Sequence, residues 1–174
     1  MLQHPRFLGK LKIDHRMNAI FPHADQSGPS GYEIKNRHFT GFSKGGEKGL
    51  WFSADRKDDT TLVIAESSID ALSHAALHPD AHARYCSTGG AINPAQPALL
   101  RAAIARMGPG SQIIIATDND AGGRKLAAQI EALVGETGRQ DLQSVRELPE
   151  DEGGDWERPA QTKRPTALLK PAMG

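Results

Sequence analysis

Five acidic residues stand where chain geometry tends to gather functional groups. Glu66 directly follows the apolar run Leu62-Val63-Ile64-Ala65, Asp118 and Asp120 follow Ile113-Ile114-Ile115-Ala116 with Asn119 between them, and Asp155 and Glu157 flank Trp156. Both apolar runs read as buried strands, and open α/β sheets place their ligands just past the carboxyl ends of such strands. Carboxylates at i and i+2 in a loop escape strand alternation, so both can turn toward one hard cation. Mg²⁺ takes a few carboxylate oxygens and keeps its other positions for water and phosphate. Gly122 and Gly123, next in the chain, leave room for a phosphate at the positive end of the following helix. Like charges gathered at one point repel, and a bound cation relieves them. The competing reading is local, because Asp is a favoured helix N-cap and Asp120 suits that part. The combination with Glu66 after a second strand favours the metal. Strand-end carboxylates also occur in receiver domains and in phosphatases with an Asp nucleophile. The phosphatase pair follows the first strand of its domain, whereas this one follows the third.

These positions require a scaffold, and the chain supplies one from residue 61 onward. Strands are expected over 62–65, 83–87, 113–116 and 142–148, with helices over 67–77, 94–107 and 121–134 between them. Pro79 stops the first helix, and Gly108-Pro109-Gly110 closes the second. A β-α-β-α-β-α-β order implies a mostly parallel four-stranded sheet with helices on both faces. Residues 1–59 read differently. Glycines at 28, 31, 41, 45, 46 and 49 cut the segment into short extended pieces over 32–35, 38–42 and 49–52, a small antiparallel β appendage. The expected organisation is a β-rich basic subdomain over 1–59, an α/β domain over 60–158 and a disordered tail over 159–174.

Bulk properties narrow the class further. Lys and Arg total 21 against 21 Asp and Glu, for zero net charge. Residues 1–53 hold eight Lys/Arg against four Asp/Glu, so the remainder holds thirteen against seventeen. A basic arm beside an acidic half can steer a polyanion to a metal site, although ordinary scatter of surface charge gives the same counts. No run approaches the roughly 18 apolar residues of a membrane span. Residues 1–10 lack the apolar segment of a secretory signal. Cys86 stands alone, which excludes an internal disulfide and a cysteine zinc cluster. A soluble, cytoplasmic protein is expected.

At three stretches the sequence resembles the Toprim domain of bacterial primases, topoisomerases and some nucleases. Residues 62–72, Leu-Val-Ile-Ala-Glu-Ser-Ser-Ile-Asp-Ala-Leu, resemble its glutamate motif. Ser87-Thr88-Gly89-Gly90-Ala91 resembles the glycine turn of primases, and residues 113–124 resemble the Asp-x-Asp motif with a primase-like Ala-Gly extension. Pro149 through Gly154-Asp155-Trp156-Glu157 resembles the third acidic motif, although Asp151 and Glu152 replace a more usual basic or small lead-in. The match spans about residues 61–157. Gly31-Tyr32-Glu33-Ile34-Lys35-Asn36, Phe39-Thr40-Gly41-Phe42 and residues 45–51 resemble the segment preceding Toprim-like domains in plasmid mobilisation and relaxase-associated proteins. The resemblance implies Mg²⁺-dependent phosphodiester chemistry on nucleic acid, with Mn²⁺ able to substitute. Glu66 would be general base in nucleotidyl transfer or general acid in strand breakage. Asp118 and Asp120 would bind metal, and Asp155 and Glu157 would complete a second position. Gly89, Gly90 and Gly122 would support the site, as would Asp70, one turn after Glu66. The implied partners are DNA, single-stranded in this reading, and other domains of a longer polypeptide or replication and transfer proteins. Two alternatives stand beside the primase-like enzyme: a non-catalytic DNA- or partner-binding module, and a Toprim-type nuclease.

Other residues carry two readings each. Lys35, Arg37, Lys44 and Lys48, interleaved with Phe39, Phe42 and Trp51, form either a single-strand platform or the core of a small sheet with basic edges. Arg124 and Lys125 open the helix after the metal motif, where they touch phosphate or simply face solvent. His74 and His78 have the i, i+4 spacing of a metal pair, but no third ligand is evident in the sequence. Cys86 reads as a buried small hydrophobe. Tyr32 and Tyr85 lack the context of a nucleophile.

Overall fold

A computed structural model describes residues 4–149 and 154–156. Its first elements are strands β1 (Lys12–Ile13), β2 (Ala19–Asp25), β3 (Gly28–Asn36) and β4 (Phe39–Phe42). They pair antiparallel in sequence order. Strands β1 and β2 are additions to the pattern expected from sequence. β2 runs through Pro22, which falls between the β1 pairing at Ala19 and Ile20 and the bridge from Ala24 to Leu50, a gap where a missing N–H costs least.

The remaining elements are β5 (Trp51–Phe52), β6 (Thr61–Ala65), α1 (Ser68–Leu77), β7 (Ala83–Ser87), α2 (Gln96–Ala105), β8 (Gln112–Ala116), α3 (Ala121–Glu136) and β9 (Gln143–Arg146). Among the described residues β5 to β9 form one sheet in the order β5-β7-β6-β8-β9. The pairs β6–β7, β6–β8 and β8–β9 are parallel, as the alternating pattern requires. The short antiparallel edge strand β5, on β7, is a fifth strand beyond the four expected. Sequence pattern groups its residues with the N-terminal unit, because two residues carry no periodicity that says which sheet they join.

Every residue of β6 is buried, which explains its unbroken apolar run. Leu62 and Ile64 pack with Ile113, Ile115, Leu100, Ile104, Leu126 and Ile130 on the α2–α3 face. Val63 and Ala65 turn the other way, toward Ala71 and Leu72 of α1, and share that core with Phe7, Phe21, Trp51, Tyr85 and Trp156. The N-terminal segment therefore helps to build the main core. Phe7 stacks on Trp51 with ring centres 6.2 Å apart. Arg6, 1% exposed, donates to the Ala54 and Ala81 carbonyls at 3.1 and 2.7 Å and pairs with Asp59.

Chain direction reverses at the centre of this sheet. From β6 the chain leaves into α1 on one face, and from the adjacent β8 it leaves into α3 on the other. The crevice between such diverging connections is the usual ligand position of an open α/β sheet. Glu66 and Asp118 sit at its two lips. Among the described residues no helix is long and apolar enough to cross a membrane.

Candidate functional site

Glu66 is held by its own backbone. Its carbonyl accepts hydrogen bonds from Gly90 N at 2.8 Å and Thr88 Oγ1 at 3.2 Å, so the turn after β7 clasps the end of β6. Gly89 and Gly90 have φ of +66° and +92°, a region L side chains rarely adopt. A Cβ on Gly89 would also lie 3.0 Å from the His23 ring. On the other side, Ser67 caps α1: its Oγ accepts from Asp70 N at 3.3 Å, and Asp70 Oδ2 accepts from Ser67 N at 3.0 Å. This reciprocal box is the role the structure displays for Asp70, and Ser67-x-x-Asp70 is its sequence signature.

The Asp-x-Asp loop is built with similar economy of space. Asp120 Oδ1 accepts from Gly123 N at 2.7 Å, so Asp120 is the N-cap of α3. Its exposed carboxylate retains capacity for other contacts, since an ionised carboxylate has about four lone-pair sites. A Cβ on Gly123 would fall 2.0 Å from the Asp118 carbonyl oxygen, whereas one on Gly122 would lie 3.3 Å from Asp120 Oδ1. Gly123, more than the expected Gly122, is thus the glycine the packing demands. Asn119 N donates to Gly154 O at 3.1 Å and draws the third acidic segment alongside. Glu157 lies outside the described residues, as do Asp151 and Glu152.

Electrostatics mark these carboxylates as one group. Burial pushes the Asp118 carboxyl up to about 7, with Asp70, Glu66, Asp155 and Asp120 each adding to the rise. Burial also raises Glu66, and Asp120 adds to it, while Lys35 and Lys48 oppose the shift. Asp118 Oδ1 is buried and has no hydrogen-bond partner. A desolvated orphan oxygen beside several other carboxylates is a donor set suited to a hard divalent cation. Asp118, Asp120 and Asp155 are the residues that could hold it, with Glu66 on the opposite lip.

The basic residues divide. Lys35 and Lys48 lie near enough to the acidic group to oppose the rise of the Glu66 carboxyl. Lys48 Nζ also donates to Ala91 O at 3.3 Å. Arg37 shares a groove of about 600 Å³ with Lys35, Phe39 and Ile69 of α1. Lys44, Arg124 and Lys125 are exposed. Of the aromatics, Trp51 is core, its Nε1 donating to Lys10 O at 2.7 Å, so it cannot serve as a stacking platform. Phe42 packs edge-on against His23, and Phe39 is 52% exposed. Tyr85 is buried and its phenol is pushed up to about 12 by that burial, which removes it as a nucleophile. Cys86 is buried and its thiol is likewise pushed up to about 12.

Three residues central to this geometry have no local sequence pattern that assigns their role. Glu33 on β3 accepts from Ser68 N at 3.2 Å, at the first residue of α1. Burial alone would raise its carboxyl, but His23, Lys35 and Ser68 together hold it below the usual range. His23 Nε2 lies 4.0 Å away, ion-pair range rather than a hydrogen bond, and His23 Nδ1 contacts Gly49 O at 2.9 Å. Gln96, fully buried, donates from Nε2 to the carbonyls of Gly49 and Thr88 at 2.8 and 2.7 Å, pinning the glycine turn. Buried polar side chains satisfied by distant partners leave no local pattern, so only the register reveals them.

Residues 63–158 match the family described as Toprim-like, and residues 1–59 match a protein family of unknown function, DUF3991. Among solved structures, the chain is similar to a DNA primase domain from Pseudomonas aeruginosa, with 16% identity, a TM-score of 0.56, and coverage of 89% of this chain and 53% of that one. It is also similar to the RNA polymerase domain of a Mycobacterium tuberculosis primase, with 18% identity, a TM-score of 0.48, and coverage of 89% and 56%. The chain spans about half the length of these solved domains. No curated protein matches it.

Proposed function

Because the chain belongs to the Toprim-like family, we propose that it carries a primase-like site for Mg²⁺-dependent phosphodiester chemistry on nucleic acid. The observation that carries this reading is Asp118: a partly desolvated carboxyl pushed up to about 7, with an unpartnered buried oxygen, among Glu66, Asp70, Asp120 and Asp155. Toprim domains bind divalent metal, and these oxygen donors fit a hard one. Bound there, Mg²⁺ supplies charge neutralisation and Lewis acidity to a phosphate.

The chain's own residues supply the rest. Glu66 has a raised affinity for its proton, and a carboxyl so shifted is better matched to proton transfer near neutral pH. It acts as general base toward an attacking hydroxyl, or as general acid toward a leaving one. Lys35 and Lys48 offset negative charge there and oppose the rise of the Glu66 carboxyl. The groove floored by Ile69 and lined by Lys35, Arg37 and Phe39 offers a single strand phosphate contacts and a stacking face. Arg124 and Lys125 extend the positive surface along α3. The resemblance of residues 31–51 to plasmid-mobilisation proteins supports a plasmid-transfer or relaxase-linked setting, with residues 1–59 as the nucleic-acid arm.

The test is to incubate the full chain with labelled single-stranded DNA and Mg²⁺ or Mn²⁺, with and without nucleotides. Nucleotide-dependent products that vanish in Asp118→Asn and Glu66→Gln are the expected result. Shortened strands without nucleotides would replace it with the nuclease reading. A second reading is a non-catalytic DNA- or partner-binding module. DNA binding without any metal-dependent product would establish that one instead.

A further inference from the structure

The turn spacing of His74 and His78 acquires in three dimensions the partner it lacks in sequence. Both lie at the end of α1, His78 being its C-cap. Glu147, just past β9, donates its backbone N–H to Ile115 O at 3.1 Å, which fixes it against the central sheet. From there its Oε2 reaches His74 Nε2 at 2.8 Å. One ligand atom from each of His74, His78 and Glu147 falls within 4.8 Å of the others. Tetrahedral bonds of about 2.0–2.1 Å need ligand atoms about 3.4 Å apart, so closure calls for small side-chain rotations only.

A simple His74–Glu147 hydrogen bond tying the helix to the sheet leaves two observations unexplained. His74 is 2% exposed, yet its second ring nitrogen, Nδ1, is buried without a hydrogen-bond partner. His78, which that bond does not need, lies with its ring centre 4.8 Å from that of His74. The indole of Trp156 closes one side, with ring centres 5.0 Å from His74 and 5.6 Å from His78. A cavity of about 240 Å³ lined by Thr61, Val63, Tyr85 and the three polar residues adjoins them.

We propose that His74, His78 and Glu147 form a second metal site, for a borderline divalent cation of the Zn²⁺ class. Two imidazoles and one carboxylate make a donor set typical of zinc with one position open. Mg²⁺, which favours oxygen, has little use for it. The exposed edge at His78 provides the entry path. The site is separate from the acidic crevice and does not depend on the function proposed for it. A cation there would clamp the end of α1 to the strand bordering the acidic loop and brace Trp156, the neighbour of Asp155.

The test titrates the full chain with Zn²⁺, and in parallel with Co²⁺, under excess Mg²⁺ that occupies the oxygen site. Calorimetry should find one equivalent of zinc. Co²⁺ should give visible ligand-field absorption and quench the emission of Trp156, a response lost in Trp156→Phe. His78→Ala changes an exposed residue and should fold, as circular dichroism would verify. It and Glu147→Gln should each weaken zinc at least tenfold, given that even outer-shell changes cost about 10–100-fold. Asp118→Asn should leave zinc affinity unchanged. Equal zinc affinity in the parent and His78→Ala, or loss of zinc binding in Asp118→Asn, would overturn the proposal.

Discussion

The acidic crevice and the imidazole corner lie at opposite ends of α1 and solve opposite electrostatic problems. Asp70, His74 and His78 are spaced four residues apart, so one ridge of α1 runs from a carboxylate in its first turn to imidazoles at its end. At the crevice, burial and like charge make ionisation costly, and the Asp118 carboxyl rises to about 7. At the corner, burial also penalises charge, but there the charged form is the protonated one. His74 is therefore pushed below its ordinary range, with Glu147 opposing the shift. The same loss of water thus raises the carboxyl at one end and lowers the imidazole at the other.

The comparison breaks most sharply on activity. Glu66→Gln should lower a metal-dependent reaction on single-stranded DNA by about 10²–10⁴-fold, the usual worth of a general acid or base, while Co²⁺ absorption at the corner stays unchanged. Coupled loss of both would show that the two regions are not independent.

Next comes Gly123→Ala. Its Cβ would meet the Asp118 carbonyl at 2.0 Å, so the start of α3 must move. A loss of about 1–3 kcal/mol in urea unfolding is expected for such overpacking, with weaker metal binding at the crevice. Gly135→Ala, where a Cβ meets nothing, is the control and should be neutral or stabilising.

Stability against pH sharpens the contrast, because the signs oppose. Asp118 has a raised folded pKa, so its contribution is complete below the unfolded value of 3.8 and is lost as pH rises through about 7. Metal-free Asp118→Asn should accordingly exceed the parent in stability near pH 8, by about 1–2 kcal/mol after allowance for screening. The gap should close toward acid. His74 has a lowered folded pKa, so its contribution is present above the unfolded value of 6.5 and is lost as pH falls through the folded one. His74→Gln should therefore flatten the acid side of the melting-temperature profile, where Asp118→Asn flattens the neutral side.

The smallest effect is expected at the groove. Lys35→Ala and Lys48→Ala should each lower the log–log salt slope of single-strand binding by about 0.7 for every phosphate that lysine neutralises. Each should also raise the Glu66 carboxyl further, moving the acid limb of the rate profile to higher pH, since both lysines now hold it down.

Much of this geometry is visible in the residues themselves. The runs 62–65 and 113–116 are apolar at every position because central parallel strands are buried on both faces, which announces the sheet. Acidic residues at their ends then announce the crevice. Two of the three described helix starts are equally local: Ser67 and Asp120 are favoured caps, and both cap, whereas α2 starts at Ala95 without a side-chain cap. The N-terminal sheet is harder to read. β2 carries Pro22 and a bulge between His23 and Ala24, so its alternation is broken and its register unreadable. Trp51, with Lys and Phe nearby, suggests a stacking surface, but its burial depends on Phe7 and Phe21 arriving from elsewhere in the chain.

Local chemistry in this sequence determines which segments become strands and helices, where they are capped, and which carboxylates stand at strand ends, because each depends on neighbours within a few positions. Partnership across the fold is decided only by tertiary structure. Glu147 meets His74 from 73 positions away, Glu33 caps the start of α1 from 35 positions before it, and Gln96 joins Gly49 to Thr88. Such contacts depend on strand register and helix placement, which arise from packing the whole core at once. The carboxylates of the crevice can be recognised without the fold, while the third ligand of the imidazole corner cannot.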